Sequence, residues 1–578
     1  MRQSRDSGPL ALARKGRAKP WVAACSALTL IVIICLSGAA GAAPGDVLWT
    51  DQWDLAGSDD RPFALGVSDN RVFVAGYGTN ASGNFNWLVR AYDAGTGEVK
   101  WTDQWDLAGK DEYAYTLAVS GTRVFVAGTG RNASGNSDWL VRAYDAGTGE
   151  VKWTDQWDLA GKDDWANALG VSDNRVFVAG TGINASGNFD WLVRAYDAGT
   201  GEVLWSKQWD LAGGNDFAIR IAVSGNQVFV AGSGTNASGN FDWLVRAYDA
   251  GTGAVLWTDQ WDLGGYGSAN ALAISANQVF VAGVGHNASG NFDWLVRAYD
   301  AGTGEVLWSK QWDLAGGYDF AWGIAVSCKQ VLVAGEGTNA SGNTDWLVRA
   351  YDAGTGEVKW TDQCNLAGKN DVARNLVLSG NQVLVAGTGT NASGNFDWLV
   401  RAYDAGTGVV LWTDQCNLAG RNGEAVALAV SGNQLFVAGW GINAPGNLDW
   451  LVRAYEVTPA KIIGINQVLT GKLSKKGVFS PTSTFKRGNK VAVWAHVQDK
   501  HTLQAFSNAA VNISITGPGF AGGFTGTTDS NGLAVVQWPT KNKTTKGTYT
   551  VTVTNVVPPD PAVHIWDGVQ SSANFTLK

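Results

Sequence analysis

The chain has 578 residues and a formal net charge of −8, and it is rich in Gly (75) and Trp (29) with a single Met. That length exceeds one ordinary domain, and the bias suggests one small unit copied many times. The acid excess is concentrated in residues 45–460, with a net of about −21, which disfavours nucleic acid and anionic membranes as partners of that region.

The first 43 residues read as an export signal. Arg2, Arg5, Arg14, Lys15, Arg17 and Lys19 precede an apolar run over 21–36, and an A-x-A site follows at Ala40-Gly41-Ala42. Cleavage there leaves no membrane span in the mature chain. An uncleaved anchor is the alternative, since the run is nearly long enough to cross. Export implies an extracytoplasmic protein, secreted or on the cell surface, with the periplasm as a further compartment. Cys25 and Cys35 lie in this segment, leaving Cys328, Cys364 and Cys416, whose spacing matches no metal or redox motif.

From residue 47 the segment V-x-W-x-x-Q-W-D-L recurs, its second aromatic position falling at Trp53, Trp105, Trp157, Trp209, Trp261, Trp312, Cys364 and Cys416. The steps are 52 residues, with one of 51. Each repeat holds four strand-like runs; in the second they are 115–120, 123–128, 139–145 and 150–157. Asn-Ala-Ser-Gly-Asn and Asp-Ala-Gly-Thr-Gly separate them as hairpin turns. Four antiparallel strands per repeat predict a propeller blade. The chain enters on a fourth-type strand, Val47–Trp53, and the last repeat stops at a third-type strand over 450–455. Pairing those two completes an eighth blade. The expected fold is all-β: an eight-bladed propeller over 44–456, closed by its terminal strands.

Ala91-Tyr92-Asp93-Ala94-Gly95-Thr96-Gly97-Glu98-Val99-Lys100-Trp101 fits A-x-D-x-x-T-G-x-x-x-W, which recurs in full seven times. It resembles the PQQ-like repeat of quinoprotein dehydrogenases and BamB-type assembly scaffolds. The whole unit, through Val-Phe-Val-Ala-Gly at 228–232, is also similar to β-propeller repeats of bacterial surface proteins. The resemblance implies a structural role for the docking residues Trp49, Trp101, Trp153, Trp205, Trp257, Trp308, Trp360 and Trp412, each set against a neighbouring blade. Quinoprotein dehydrogenases also carry vicinal cysteines, a catalytic acid and calcium ligands at unique positions among divergent blades. This chain lacks the vicinal pair, and the others find no residue-by-residue match.

The Arg series Arg90, Arg142, Arg194, Arg246, Arg297, Arg349, Arg401 and Arg453 is expected to form a repeated structural ion pair, because a buried Arg needs a partner. Seven Asn-Ala-Ser triplets, from Asn80, fit the glycosylation sequon, yet the eighth copy, Asn443-Ala444-Pro445, does not; a hairpin turn explains all eight. The repeats differ most between Leu-Ala-Gly and the first strand. One position reads Arg61, Tyr113, Trp165, Phe217, Ser268, Phe320, Val372, Glu424; two residues on it reads Phe63, Tyr115, Asn167, Ile219, Asn270, Trp322, Arg374, Val426. If the first strand is innermost, these residues ring one mouth of the central channel. Tyr113, Tyr115, Trp165, Phe217, Phe320, Trp322 and Arg374 are therefore the candidate partner-binding residues.

After Tyr455 the repeat ends. Residues 457–476 read as a linker. Alternating runs at 490–498, 510–516, 532–538, 547–556 and 573–577 then predict a β-sandwich over 477–578. Thr527-Thr528-Asp529-Ser530-Asn531-Gly532-Leu533-Ala534 followed by Gly547-Thr548-Tyr549-Thr550-Val551 resembles bacterial immunoglobulin-like domains, which implies a spacer or adhesive module. No catalytic, cofactor-binding or metal constellation is recognised. The expectation is a non-enzymatic binding or scaffold protein that holds a protein or glycan at the cell envelope, without cofactor. The alternatives are a quinoprotein-like dehydrogenase and a structural surface-layer or adhesin component.

Overall fold

The computed structural model describes residues 43–578 except Asp173, Cys328, 458–460, 476–477, 500–503, 560–563 and Asp567, and leaves aside the side chains of 461, 462, 564 and 565. All but the last residue of the expected export signal lies outside the described residues, as does Cys328.

Eight four-stranded antiparallel sheets form between residues 47 and 456 among the described residues. The first is Asp60–Ser68, Arg71–Thr79, Phe85–Asp93 and Val99–Trp105, paired in chain order. The next six repeat this pattern. The eighth is assembled from both ends of the repeat region: Gly423–Ser431, Gln434–Ile442 and Leu448–Glu456 take Val47–Trp53 as their fourth strand, in register from Val47↔Tyr455 to Trp53↔Trp450. First strands touch one another in succession, and Gly423–Ser431 touches Asp60–Ser68, so the contacts run full circle with the first strands innermost. This is a β-propeller. The inner three strands are apolar where they stack on neighbouring sheets. The outer ones are short and carry Thr, Asp, Lys and Gln, which blunts an exposed sheet edge.

One set of contacts recurs at the sheet junctions. Trp87 Nε1 donates to Tyr144 Oη of the next sheet (2.9 Å), Tyr144 donates to Asp103 (2.8 Å), and Arg142 pairs with the same Asp103 carboxylate (3.0 Å). The docking Trp101 donates to the Ala146 carbonyl (3.1 Å). The junction made by the chain ends is built alike: Trp450 to Tyr92 (3.0 Å), Tyr92 to Asp51 (3.0 Å), Arg90 to Asp51 (3.2 Å) and Trp49 to Ala94 (2.8 Å). Gly97 turns at φ +73°, and a Cβ there would lie 2.7 Å from the Trp49 ring, so the second Gly of Asp-Ala-Gly-Thr-Gly is fixed by the docking Trp of the preceding sheet.

The Arg ladder follows its partners. Arg142 lies 3.8 Å from the centre of the Trp105 ring as well as beside Asp103. Where Lys207 and Lys310 replace that Asp, Arg246 and Arg349 rest on Trp209 (3.4 Å) and Trp312 (3.5 Å). Where Cys364 and Cys416 replace the Trp, Arg401 and Arg453 keep Asp362 (2.9 Å) and Asp414 (2.7 Å). Each substitution removes one of two stabilising partners and leaves the other.

The C-terminal residues form two five-stranded sheets. Phe479–Pro481, Lys461–Leu473, Lys490–Asp499 and Leu533–Pro539 make one, with His564–Trp566 added parallel to Lys461–Leu473. Thr484–Phe485, Ser572–Leu577, Gly547–Val557, Ala510–Gly517 and Phe520–Thr527 make the other. A shared core of Val491, Val493, Val497, Ile513, Ile515, Trp538, Val551 and Phe575 lies between them. The linker expected over 457–476 is corrected: Lys461–Leu473 is a thirteen-residue strand of this sandwich. Its register shifts between Ile465 and Gln467, which breaks the period-two alternation that marks a strand in sequence.

Candidate functional site

The structure gives the variable positions of the inner strands a common geometry. In the first sheet Arg61 pairs with Tyr77 and Pro62 with Gly76, then Ala64 with Ala75, so Phe63 is an extra residue without a cross-strand partner. The same one-residue bulge recurs in all eight inner strands, at Tyr115, Asn167, Ile219, Asn270, Trp322, Arg374 and Val426. A bulge re-aims side chains without loosening the strand that carries it. The bulge also accounts for the Gly of Val-Phe-Val-Ala-Gly. A Cβ on Gly76 would lie 2.1 Å from the Arg61 carbonyl oxygen, and one on Gly128 1.9 Å from that of Tyr113.

The candidate residues therefore come together at the end of the propeller where each inner strand begins. Tyr113, Trp165, Phe217 and Phe320 stand two residues before the bulge carriers, and Tyr115, Trp322 and Arg374 are bulge carriers themselves. Tyr113 and Tyr115 stack at 5.9 Å and 11°, Phe320 and Trp322 at 5.4 Å and 7°. All seven are half-buried.

Around this end runs a belt of rings larger than the sequence suggested. Phe189 bridges Trp165 (5.6 Å) and Phe217 (5.3 Å); Phe241 bridges Phe217 (5.9 Å) and Tyr266 (5.6 Å); Phe292 bridges Tyr266 and Phe320 (both 5.5 Å). Phe85 and Tyr77 join Tyr113 likewise (5.6 and 5.3 Å). The bridging Phe opens the third strand in five of the eight sheets. A search for differences between repeats passes over it for that reason.

The belt is broken by charge. Glu424, 8% exposed, accepts from Arg374 Nε (2.8 Å), Arg61 Nη2 (3.3 Å) and Trp440 Nε1 (3.2 Å). Trp322 Nε1 donates to Glu336 (3.0 Å), whose carboxyl burial pushes up in pKa. Arg61, Arg374, Glu336, Glu424 and the two indoles thus form one polar network across the first, sixth, seventh and eighth sheets. Elsewhere the inner strands carry small residues at the position after the bulge, such as Ala64, Thr116, Ala168 and Ala271, with Arg220 and Asn375 as exceptions.

The inner strand of the second sheet opens on a fully buried acid, Glu112. Burial, with Asp106 and Asp111 nearby, raises its pKa from 4.5 to about 9. The folded chain then holds a proton that the unfolded chain releases, so this contribution to stability is lost as pH rises from about 4.5 through 9. Glu112→Gln keeps the shape and removes the titration. The variant is expected to melt a few degrees above the parent at pH 9 and with it at pH 4; equal melting at both would contradict the assignment.

The repeat turns are self-satisfied. Asn80 Oδ1 accepts from the Ser82 and Asn84 amides (2.8 and 3.1 Å) while its Nδ2 donates to Asn86 (2.7 Å). Asp529 Oδ1 likewise accepts from Asn531 and Leu533 (2.8 and 3.0 Å), closing a hairpin.

No helix among the described residues is long and apolar enough to cross a membrane. No curated protein matches the chain. Among solved structures it is similar to the quinohemoprotein alcohol dehydrogenase ADHIIG of Pseudomonas putida HK5 and to that of Comamonas testosteroni. Both show 15% identity and a TM-score of 0.48, over 71% of this chain and 76% of theirs. A europium-containing methanol dehydrogenase matches at 12% identity and a TM-score of 0.47, over 71% of this chain and 93% of its own. The expectation that the chain is not an enzyme is corrected to this extent: the solved structures it is similar to include oxidoreductases. The sequence profile described as outer membrane protein assembly factor BamB matches residues 38–162, 85–257, 137–290 and 293–448. With its repeats covered almost end to end by that profile, the chain belongs to the BamB family of PQQ-like propellers.

Proposed function

We propose that this chain is an exported interaction platform: an eight-bladed ring that binds a protein of the cell envelope at the mouth lined by the inner-strand bulges, with the sandwich as an immunoglobulin-like spacer. The family supports a protein partner, since its described member is an assembly factor. The observation that carries the reading is the break in symmetry at the mouth. Junction contacts recur round the ring, whereas the bulge positions diverge into an aromatic arc and a single Arg61–Glu424–Arg374 network. Rigidly held aromatic and Arg side chains are the residues that dominate protein interfaces.

Replacing Tyr115, Trp322 and Arg374 together by Ala tests it. Recovery of the partner with the exported chain is expected to fall at least tenfold, with the melting temperature within a few degrees of the parent. Unchanged recovery would place the contact elsewhere.

A further inference from the structure

The sandwich is charged oppositely to the repeats, and its charge is collected at one end. Residues 461–578 hold 12 Lys and Arg against 4 Asp and Glu. The nine basic residues whose side chains are described lie together, as the strand registers show. Gly471 pairs with both Ala492 and Pro481, which sets Lys472 and the hairpin of Lys475 beside the start of the strand that Lys490 opens. Lys490 pairs with Pro539, so the loop of Lys541, Lys543 and Lys546 leaves from the same end. Gly547 after that loop pairs with Leu577, and so does Phe485, which brings Lys486, Arg487 and Lys578 to it. All nine residues are exposed. The chain enters the sandwich at the opposite end, where Ile463 pairs with Asp499. No Asp or Glu occurs in 464–498, 530–559 or 568–578, and none of the nine cations has an ion pair among the described residues.

Two further observations bear on what faces this end. Lys486, Arg487, Asn542 and Lys578 line a cleft of about 400 Å³. The loops that wall it are tied together, since Thr540 donates to the Asn489 carbonyl from its amide (3.2 Å) and its hydroxyl (2.5 Å), and the Lys541 amide donates to Thr544 Oγ1 (2.7 Å). On the neighbouring hairpin Val478 is 62% exposed, and the next residue, Phe479, stacks on Trp494 at 4.7 Å and 17°. An aliphatic side chain is thus held out among the lysines by an anchored strand. Eight of the nine cations are Lys, point charges on flexible stems that suit a field of many phosphates better than one bidentate anion. Segments 486–489 and 540–546 contain no aromatic residue on which a nucleobase would stack. Exposed apolar surface beside Lys and Arg is the pattern that meets both the headgroups and the acyl boundary of a bilayer.

We infer that this end of the sandwich docks on an anionic phospholipid bilayer, with a headgroup phosphate in the cleft of Lys486, Arg487 and Lys578 and Val478 at the acyl boundary. The attraction acts within a Debye length of ~8 Å, so it is felt by the loops at the surface and is weakened by salt. The acid excess of residues 45–460 opposes contact of the repeats with the same surface. Charge therefore brings the chain to a bilayer through the sandwich end, which has no part in the proposed interaction face.

The test is co-sedimentation of the full exported chain with vesicles of phosphatidylcholine alone and of phosphatidylcholine with about one third phosphatidylglycerol. Binding to the anionic vesicles alone is expected, and it should fall about tenfold when NaCl rises from about 0.1 to 0.5 M. Lys541→Gln, Lys543→Gln and Lys546→Gln together are expected to lower the partition about tenfold or more with the melting temperature unchanged. Lys110→Gln, Lys329→Gln and Lys369→Gln together remove the same charge from exposed positions on the repeats and are expected to leave binding nearly as it was. Absence of sedimentation with the anionic vesicles would overturn the inference, as would equal losses in the two triple variants. Release by inorganic phosphate at constant ionic strength would make a free phosphate the ligand, and retention of duplex DNA in place of vesicles would make it nucleic acid; either result overturns docking on a bilayer. Partner recovery is measured on the same samples, so failure here is separable from failure at the mouth.

Discussion

Deletion of residues 47–54 is expected to abolish cooperative unfolding of the propeller. The strand it removes is the fourth strand of the eighth sheet, and the contacts of three side chains leave with it. Trp49 is lost from the Ala94 carbonyl and the Gly97 turn, Asp51 from Arg90 and Tyr92, and Gln52 from Asp449. Removing a fully buried Trp costs about 3–5 kcal/mol, and the half-buried Trp49 correspondingly less. Leaving a buried Arg without its anion costs about as much again, and Arg90 is only 8% exposed. Together these approach the ~5–15 kcal/mol that stabilises a typical domain. The deletion also bares Leu448–Glu456 as an unpaired edge, a template for aggregation. Scanning calorimetry with size-exclusion chromatography should find no sharp transition and large species. A deleted chain melting within about 2 °C of the parent, judged against the few degrees one kcal/mol moves a midpoint, would contradict closure by the chain ends.

Gly128→Ala is the point substitution expected to cost most for its size. The added methyl carbon would sit 1.9 Å from the Tyr113 carbonyl oxygen and 3.0 Å from Trp87, and the oxygen belongs to backbone that cannot swing aside. Relief requires opening the bulge or separating the first two strands of the second sheet, at about 3 kcal/mol or more. Gly135→Ala is the control. Its φ is +92° and nothing lies within 4 Å, so only the left-handed backbone penalty of about 1 kcal/mol applies. Denaturant melts should separate the two variants by about 2 kcal/mol; equal losses would mean that the bulge does not constrain Gly128.

The repeat architecture was legible because each blade writes the same signals: turn residues at fixed offsets, alternating apolar runs and a docking Trp. The closing strand was legible by counting, since Val47–Trp53 has the sequence of an outer strand with no sheet before it. Five strands of the sandwich were not, three of which, Phe479–Pro481, Thr484–Phe485 and His564–Trp566, are only two or three residues long. Lys461–Leu473 hides its alternation behind a bulge near Asn466, and Phe520–Thr527 reads as a loop because Gly522, Gly523 and Gly526 interrupt it. At the mouth, the divergent residues stood out in sequence, but the bulge that aims them leaves no mark except the Gly opposite. The bridging Phe189, Phe241 and Phe292 were hidden by their uniformity, and the Glu424 network by the distance in sequence between Arg61 and its partner 363 residues away.

Site-directed photo-cross-linking tests the interaction face most directly. Benzoylphenylalanine replaces Phe320 at the mouth in one variant and, in another, Thr200, whose Asp-Ala-Gly-Thr-Gly turn lies at the opposite end of the blades. The account predicts a covalent adduct with an envelope protein from position 320 and none from position 200. Adducts confined to position 200 would contradict it.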